Sequence, residues 1–188
     1  MTSLCVGDSH INRLKAYVGV SASSHVYNIA ALEEVHYFGI SGGRISNGLH
    51  LRKLYTEIQR RAPRHVIMMI GGNDIDTPDP HFDVDCFVYR FVAFLTRIKN
   101  LHHVRSVTAL SLLNRTRTRH VTEQVFIDRT AIANQLLMAQ CEEHDIKFWN
   151  LLGFTNSWVP LLRDGVHLND YGQYKLLREI RGVLLRHI

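Results

Sequence analysis

Four short segments of this sequence carry residue types from which a nucleophilic site can be built: Gly7-Asp8-Ser9-His10, Ile40-Ser41-Gly42-Gly43, Gly71-Gly72-Asn73-Asp74 and Asp164-Gly165-Val166-His167. A serine hydroxyl attacks a carbonyl only beside a base, and an imidazole serves as that base when a carboxylate holds its tautomer. Asp164 stands three residues before His167, close enough to curl back onto the imidazole Nδ1–H and leave Nε2 for Ser9. Ser9 precedes Ile11, Leu14 and Val18 at helical spacing, so its own N–H would be an unpaired donor at a helix start, available to an oxyanion. The Gly42 N–H and the Asn73 carboxamide could supply two further donors. Each segment alone also has a plainer reading. Asp8 or Ser9 would be a helix cap, Gly42-Gly43 an ordinary turn, Asn73 a turn former, and Asp164 and His167 caps of the last helix. Only their combination favours chemistry.

The elements that must bring these segments together are legible in the hydropathy pattern. Apolar, β-branched runs at 3–7, 33–38, 65–70, 104–110 and 146–149 read as five strands. Helical periodicity separates them, as at 83–99 (Phe87, Phe91, Leu95, Ile98), and returns at 170–187 (Leu177, Ile180, Leu184). Strict alternation predicts a parallel sheet covered on both faces, a three-layer α/β/α sandwich of flavodoxin-like type with five strands. In such sheets ligands sit beyond the carboxyl ends of the strands, where the first three motifs fall. With 188 residues, 46% of them hydrophobic, and no internal repeat or Pro-rich linker, residues 1–188 are expected to form one domain.

In order and spacing the four segments resemble the four blocks of the SGNH (GDSL) hydrolases, and the likeness spans almost the whole chain. That resemblance implies the flavodoxin-like fold and ester hydrolysis through a serine acyl-enzyme. It also implies a Ser9-His167-Asp164 triad and an oxyanion hole made by the Ser9 N–H, the Gly42 N–H and the Asn73 side chain. Gly43 departs from the polar residue many members carry, which leaves Gly42 and Gly43 as competing donors. The compact size and Phe38-Gly39-Ile40-Ser41-Gly42-Gly43 look closest to the platelet-activating-factor acetylhydrolase and thioesterase branch, whose substrates are small acyl esters or lipids. Similar esterase domains occur in first-open-reading-frame proteins of some LINE retrotransposons. A chain that starts directly on a core strand, as an excised domain would, fits such an origin.

Other features compete with this reading or extend it. Gly39-Ile40-Ser41-Gly42-Gly43 also fits a G-x-S-x-G nucleophile elbow, with Ser41 in place of Ser9. The carboxylates from Asp74 to Asp85 could hold a cation, but they lack the EF-hand glycine and glutamate. The twelve histidines form no His-Glu-x-x-His motif, so no metal and no cofactor is expected. Trp158 and Leu161, in an apolar loop before Asp164, are candidates to line an acyl pocket, with burial as the alternative. The basic run 114–120 would lie beside the crevice, where it either contacts an anionic lipid or nucleic acid, as the net charge of +5 allows, or is a solvated edge. A binding module on an esterase fold is thus the alternative function. Cys5, Cys86 and Cys141 read as buried thiols, and without a signal-type segment or apolar span the expected location is cytoplasmic.

Overall fold

The computed structural model describes residues 2–20, 34–154 and 158–186. Its centre is a sheet of five parallel strands in the order β2-β1-β3-β4-β5. These are β1 (Thr2–Gly7), β2 (Glu34–Gly39), β3 (His65–Met69), β4 (Ser106–Leu110) and β5 (Lys147–Trp149). Between and after them run α1 (Ser9–Val20), α2 (Gly48–Arg61), the single turn α3 (Gly72–Ile75), α4 (Val84–Lys99), α5 (Glu123–Glu143) and α6 (Asp170–Leu185). Two 3₁₀ turns, Leu152–Phe154 and Val159–Leu161, lie between β5 and α6.

Both faces of the sheet are covered, and the strand residues divide between them with period two. Leu4, Val6, Val66, Met68, Val107 and Ala109 join Leu54 and Ile58 of α2, Phe87, Phe91, Leu95 and Ile98 of α4, and Phe126 and Leu137 of α5 in one core. Cys5, Ile67, Met69 and Leu110 join Ile11 and Leu14 of α1 and Leu176, Leu177, Ile180 and Leu184 of α6 in the other. The α4 and α6 positions picked out by periodicity are therefore the inward faces of those helices. Each such aliphatic or aromatic side chain contributes about 1.5–3 kcal/mol by leaving water.

Helix starts follow local chemistry. Asn47, Thr122 and Asn169 place side-chain oxygens on the first free N–H groups of α2, α5 and α6. The fourth strand is shorter than expected. Val104 ends a turn on Leu101 O, Arg105 and Ser106 both donate to Arg64 O, and pairing with β3 begins only at Ser106. The thiols also divide differently: Cys5 and Cys141 are buried, but Cys86 is exposed. Its neighbours Phe87 and Val88 take the inward face of α4, which turns position 86 outward.

Candidate active site

The site forms where β1 gives way to α1, and the crossing there is tight. A methyl group at Gly7 would lie 1.9 Å from the Met69 carbonyl oxygen, and one at Gly39 would lie 2.4 Å from the Asp8 carbonyl oxygen. Only glycine lets β2, β1 and β3 approach this closely at their carboxyl ends. Asp8 is buried, and its Oδ1 accepts the His10 N–H at 3.0 Å. The capping role thus falls to Asp8 and not to Ser9. Ser9 Oγ lies 3.2 Å from His167 Nε2, and His167 Nδ1 lies 2.9 Å from Asp164 Oδ2.

Asp164 holds the histidine through the backbone as well as the ring. Its Oδ1 accepts the N–H of His167 at 2.7 Å and of Val166 at 3.0 Å. Burial opposes ionisation of Asp164, but these bonds and the His167 ring outweigh it and hold the carboxyl well below its ordinary range. The hairpin is closed by Arg163 N–H on His167 O and by a bridge between Leu162 and Leu168. Gly165 takes φ +81°, and its carbonyl accepts the N–H groups of both Thr116 and Arg117. The run read as a basic edge therefore braces the Asp164-His167 turn with its backbone.

The glycine loop is tied down from β3. Asp74 Oδ2 and Oδ1 accept the N–H groups of Ile45 and Ser46 at 2.9 and 2.8 Å. Gly43 is buried, with its N–H bonded to Ile40 O at 2.9 Å. Gly42, at φ +68°, lines the cavity beside Ser9 instead. Asn73 donates from Nδ2 to Gly43 O at 3.0 Å and accepts from Arg115 Nη2 on Oδ1 at 3.3 Å, so its amide has one orientation. Ser41 also lines the cavity, but its hydroxyl accepts from Asn12 Nδ2 at 3.4 Å, whereas His167 is paired with Ser9.

Three charged or titratable residues lie buried beneath the site, and their burial was not legible in the sequence. Arg115 is only 4% exposed, packed over Gly72 with its guanidinium also over the Phe126 ring. Burial pushes its pKa down, against the pull of Asp8 and Asp76. Burial raises the Asp8 carboxyl to about 6, partly opposed by the His10 N–H and by Arg115. Burial together with the positive charge of Arg115 lowers His10 to about 3, so it is a neutral imidazole, with its ring centroid 5.8 Å from that of His167. A buried charge under Ser9 leaves no hydropathy signature, since Arg115 sits in a run that reads as polar throughout.

Two expectations are corrected. Leu161 does not line the cavity: it is 2% exposed and packs with Leu168, Leu176 and Leu177 in the core, because the Leu162–Leu168 bridge folds its segment inward. Trp158 is half-buried and is likewise absent from the described cavity wall. The carboxylate run, which lacks the EF-hand glycine and glutamate, serves backbone groups in the capping role that its sequence favours. Asp76 accepts the N–H groups of Arg119 and His120, Asp79 that of His81, and Asp83 that of Asp85 at the start of α4. Among the described residues no three His, Cys, Asp or Glu side chains converge as a metal site. No described helix is long and apolar enough to cross a membrane.

A parallel sheet that ends in a serine, a histidine and a carboxylate at one crevice defines a hydrolytic α/β enzyme by class, and comparison with known proteins narrows that class. The model of the GDSL-like lipase/acylhydrolase family matches residues 5–175, which include all four motifs, and the chain belongs to this family of carboxylic ester hydrolases. Its fold is shared with a GDSL-like lipase from Bacteroides thetaiotaomicron at TM-score 0.77 and 14% identity, covering 100% of this chain and 89% of the other. A protein from Streptococcus pneumonia named for platelet activating factor aligns at TM-score 0.72 and 20% identity, over 97% and 83% of the two chains. An acetylxylan esterase from Geobacillus stearothermophilus aligns at TM-score 0.69 and 15% identity, over 97% and 93%. No curated protein matches the chain in sequence.

Proposed function

We propose that this protein hydrolyses small acyl esters through a Ser9-His167-Asp164 triad and a covalent acyl-enzyme. The observation that carries the reading is the unbroken relay from Ser9 Oγ to His167 Nε2 and from His167 Nδ1 to Asp164 Oδ2, at 3.2 and 2.9 Å. His167 takes the Ser9 proton as Oγ attacks the ester carbonyl, then returns it to the departing alcohol. Water, deprotonated by the same imidazole, releases the acid. Asp164 fixes the ring tautomer and stabilises the imidazolium. The N–H groups of Ser9 and Gly42 and the Asn73 amide receive the oxyanion. Gly42 is favoured over Gly43, because the Gly43 N–H is already spent on Ile40 O.

Small acyl groups are favoured because Val166 is the only hydrocarbon side chain among the described residues that line the cavity of about 650 Å³. The test is hydrolysis of para-nitrophenyl acetate by the wild type and by Ser9→Ala. The variant should lose about three orders of magnitude or more in kcat while keeping its fold by circular dichroism. Turnover that survives in Ser9→Ala would remove Ser9 from the mechanism. A fluorophosphonate probe should map to the Ser9 peptide, and labelling of Ser41 instead would establish the nucleophile elbow.

A further inference from the structure

Arg115 is almost wholly buried, yet its guanidinium has few of the partners that a buried cation needs. Among the described residues it makes one hydrogen bond, from Nη2 to Asn73 Oδ1 at 3.3 Å. The one described carboxylate within ion-pair reach, Asp76, stands 4.0 Å from Nη1, and both of its oxygens already accept the N–H groups of Arg119 and His120. An arginine kept for stability alone is ordinarily met by a carboxylate in a bidentate pair, and without one its burial is destabilising. The guanidinium nevertheless has a fitted place. It packs over Gly72, where a methyl group would lie 2.6 Å from Nη2, and Gly72 lacks the positive φ of its neighbour Gly71. Glycine at 72 therefore answers to the space that Arg115 takes and not to the backbone conformation.

We propose that Arg115 is a positioning residue for the oxyanion hole: its charged Nη2–H holds and polarises the Asn73 amide and, through Asn73, fixes the loop that carries Gly42. This rests on the esterase reading above. The Asn73 Nδ2 has two hydrogens, and one of them goes to Gly43 O at 3.0 Å. Asn73 also lines the cavity beside Ser9, where the second hydrogen can meet an oxyanion. A hydrogen bond received on the oxygen of an amide strengthens donation from its nitrogen, because the group polarises as a whole, and a charged donor does so most strongly. Gly43 O accepts from the same amide, so the backbone next to the Gly42 N–H is tied to Arg115 through one intermediate side chain. Two of the three proposed donors thus answer to one guanidinium. The polarisation matters once negative charge gathers on the ester oxygen, so it should appear in kcat and little in KM.

The experiment is a double-mutant cycle on hydrolysis of para-nitrophenyl acetate. Arg115→Met keeps an unbranched side chain but removes the charge and every donor. It should lower kcat by about 10²–10³, the size of one lost oxyanion-hole donor, with KM changed less than about threefold and the circular dichroism spectrum kept. Asn73→Ala should lose about as much. The variant carrying both changes should be no slower than the slower single variant, because Arg115 acts through Asn73. A merely structural arginine would instead give losses that multiply. Where Arg115→Met does not fold, Gly72→Ala puts the same question with the arginine retained, since its methyl group displaces Nη2. It should lower kcat about tenfold or more alone and have no further effect beside Asn73→Ala. Full kcat in Arg115→Met overturns the proposal, as does full kcat in Gly72→Ala where Arg115→Met does not fold. Losses that multiply with that of Asn73→Ala overturn it equally. If Ser9→Ala hydrolyses the ester as fast as the wild type, the esterase reading has failed instead.

Discussion

The two halves of the proposed triad are held by different means. Ser9 stands on a buried junction where three strands close to within the size of a missing methyl group, and its position is a property of the sheet. Asp164 and His167 stand on a partly exposed hairpin, with the Asp164 side chain 41% accessible, and their positions come from hydrogen bonds within the hairpin and from the N–H groups of Thr116 and Arg117 on Gly165 O. Ser9 therefore depends on the packing of the sheet, whereas His167, its proposed base, depends on surface hydrogen bonds that can fail while the fold survives.

That contrast can be broken from the nucleophile side first. Gly7→Ala drives a methyl group into the Met69 carbonyl and should cost about 3 kcal/mol or more, seen as a large fall in Tm or loss of soluble protein. On the other half, Asp164→Asn should lower kcat by about 10³–10⁴ through the wrong imidazole tautomer, with Tm nearly unchanged. A comparable drop in Tm would show that the hairpin too is a structural keystone.

Acid titration sharpens the same distinction, because the buried pair Asp8 and His10 lies under Ser9 and not in the Asp164–His167 hairpin. His10 has its folded pKa depressed to about 3 by burial and by Arg115, so its contribution is fully present above its unfolded value near 6.5 and is lost as pH falls towards 3. Asp8, raised to about 6, works in the opposite sense: its contribution is present below its unfolded value near 3.8 and is lost as pH rises through 6. His10→Gln should remove a loss on the order of a few kcal/mol between pH 6.5 and 4 and flatten or invert the slope of denaturant stability there. An unchanged slope would mean that His10 is not buried neutral. The smallest effect expected is that of Gly165→Ala, which combines φ +81° with a Cβ placed 2.7 Å from that of Arg117. It should cost about 1–2 kcal/mol and roughly tenfold in kcat by displacing His167.

The parts that sequence made legible were those with a period or a spacing. The inward faces of α4 and α6 and the alternation of the strands follow from repeats that a chain must obey to bury its core, and the three-residue interval between Asp164 and His167 lets the carboxylate reach the ring. What stayed hidden depended on contacts between distant segments. Arg115 looked like a member of a solvated run because its partners, Asn73, Asp76 and Asp8, arrive from the segments that follow β1 and β3. Asp74 and Asp76 resembled a cation loop, since nothing local reveals that the N–H groups they receive belong to Ile45, Ser46, Arg119 and His120. Leu161 was misplaced because an apolar residue near a site has the same sequence signal whether it faces ligand or core.

The carbonyl of Gly165 receives Thr116 and Arg117 together, and thereby joins the loop after β4 to the loop that carries His167. Surface connections of this kind ordinarily tolerate insertions and deletions. Here a residue added or removed between Leu110 and Thr122 alters where Gly165 is gripped and, with it, the reach of His167 towards Ser9. For anyone grafting, shortening or recombining this scaffold, the β4–α5 connection belongs with the Asp164–His167 hairpin and not with the exchangeable loops.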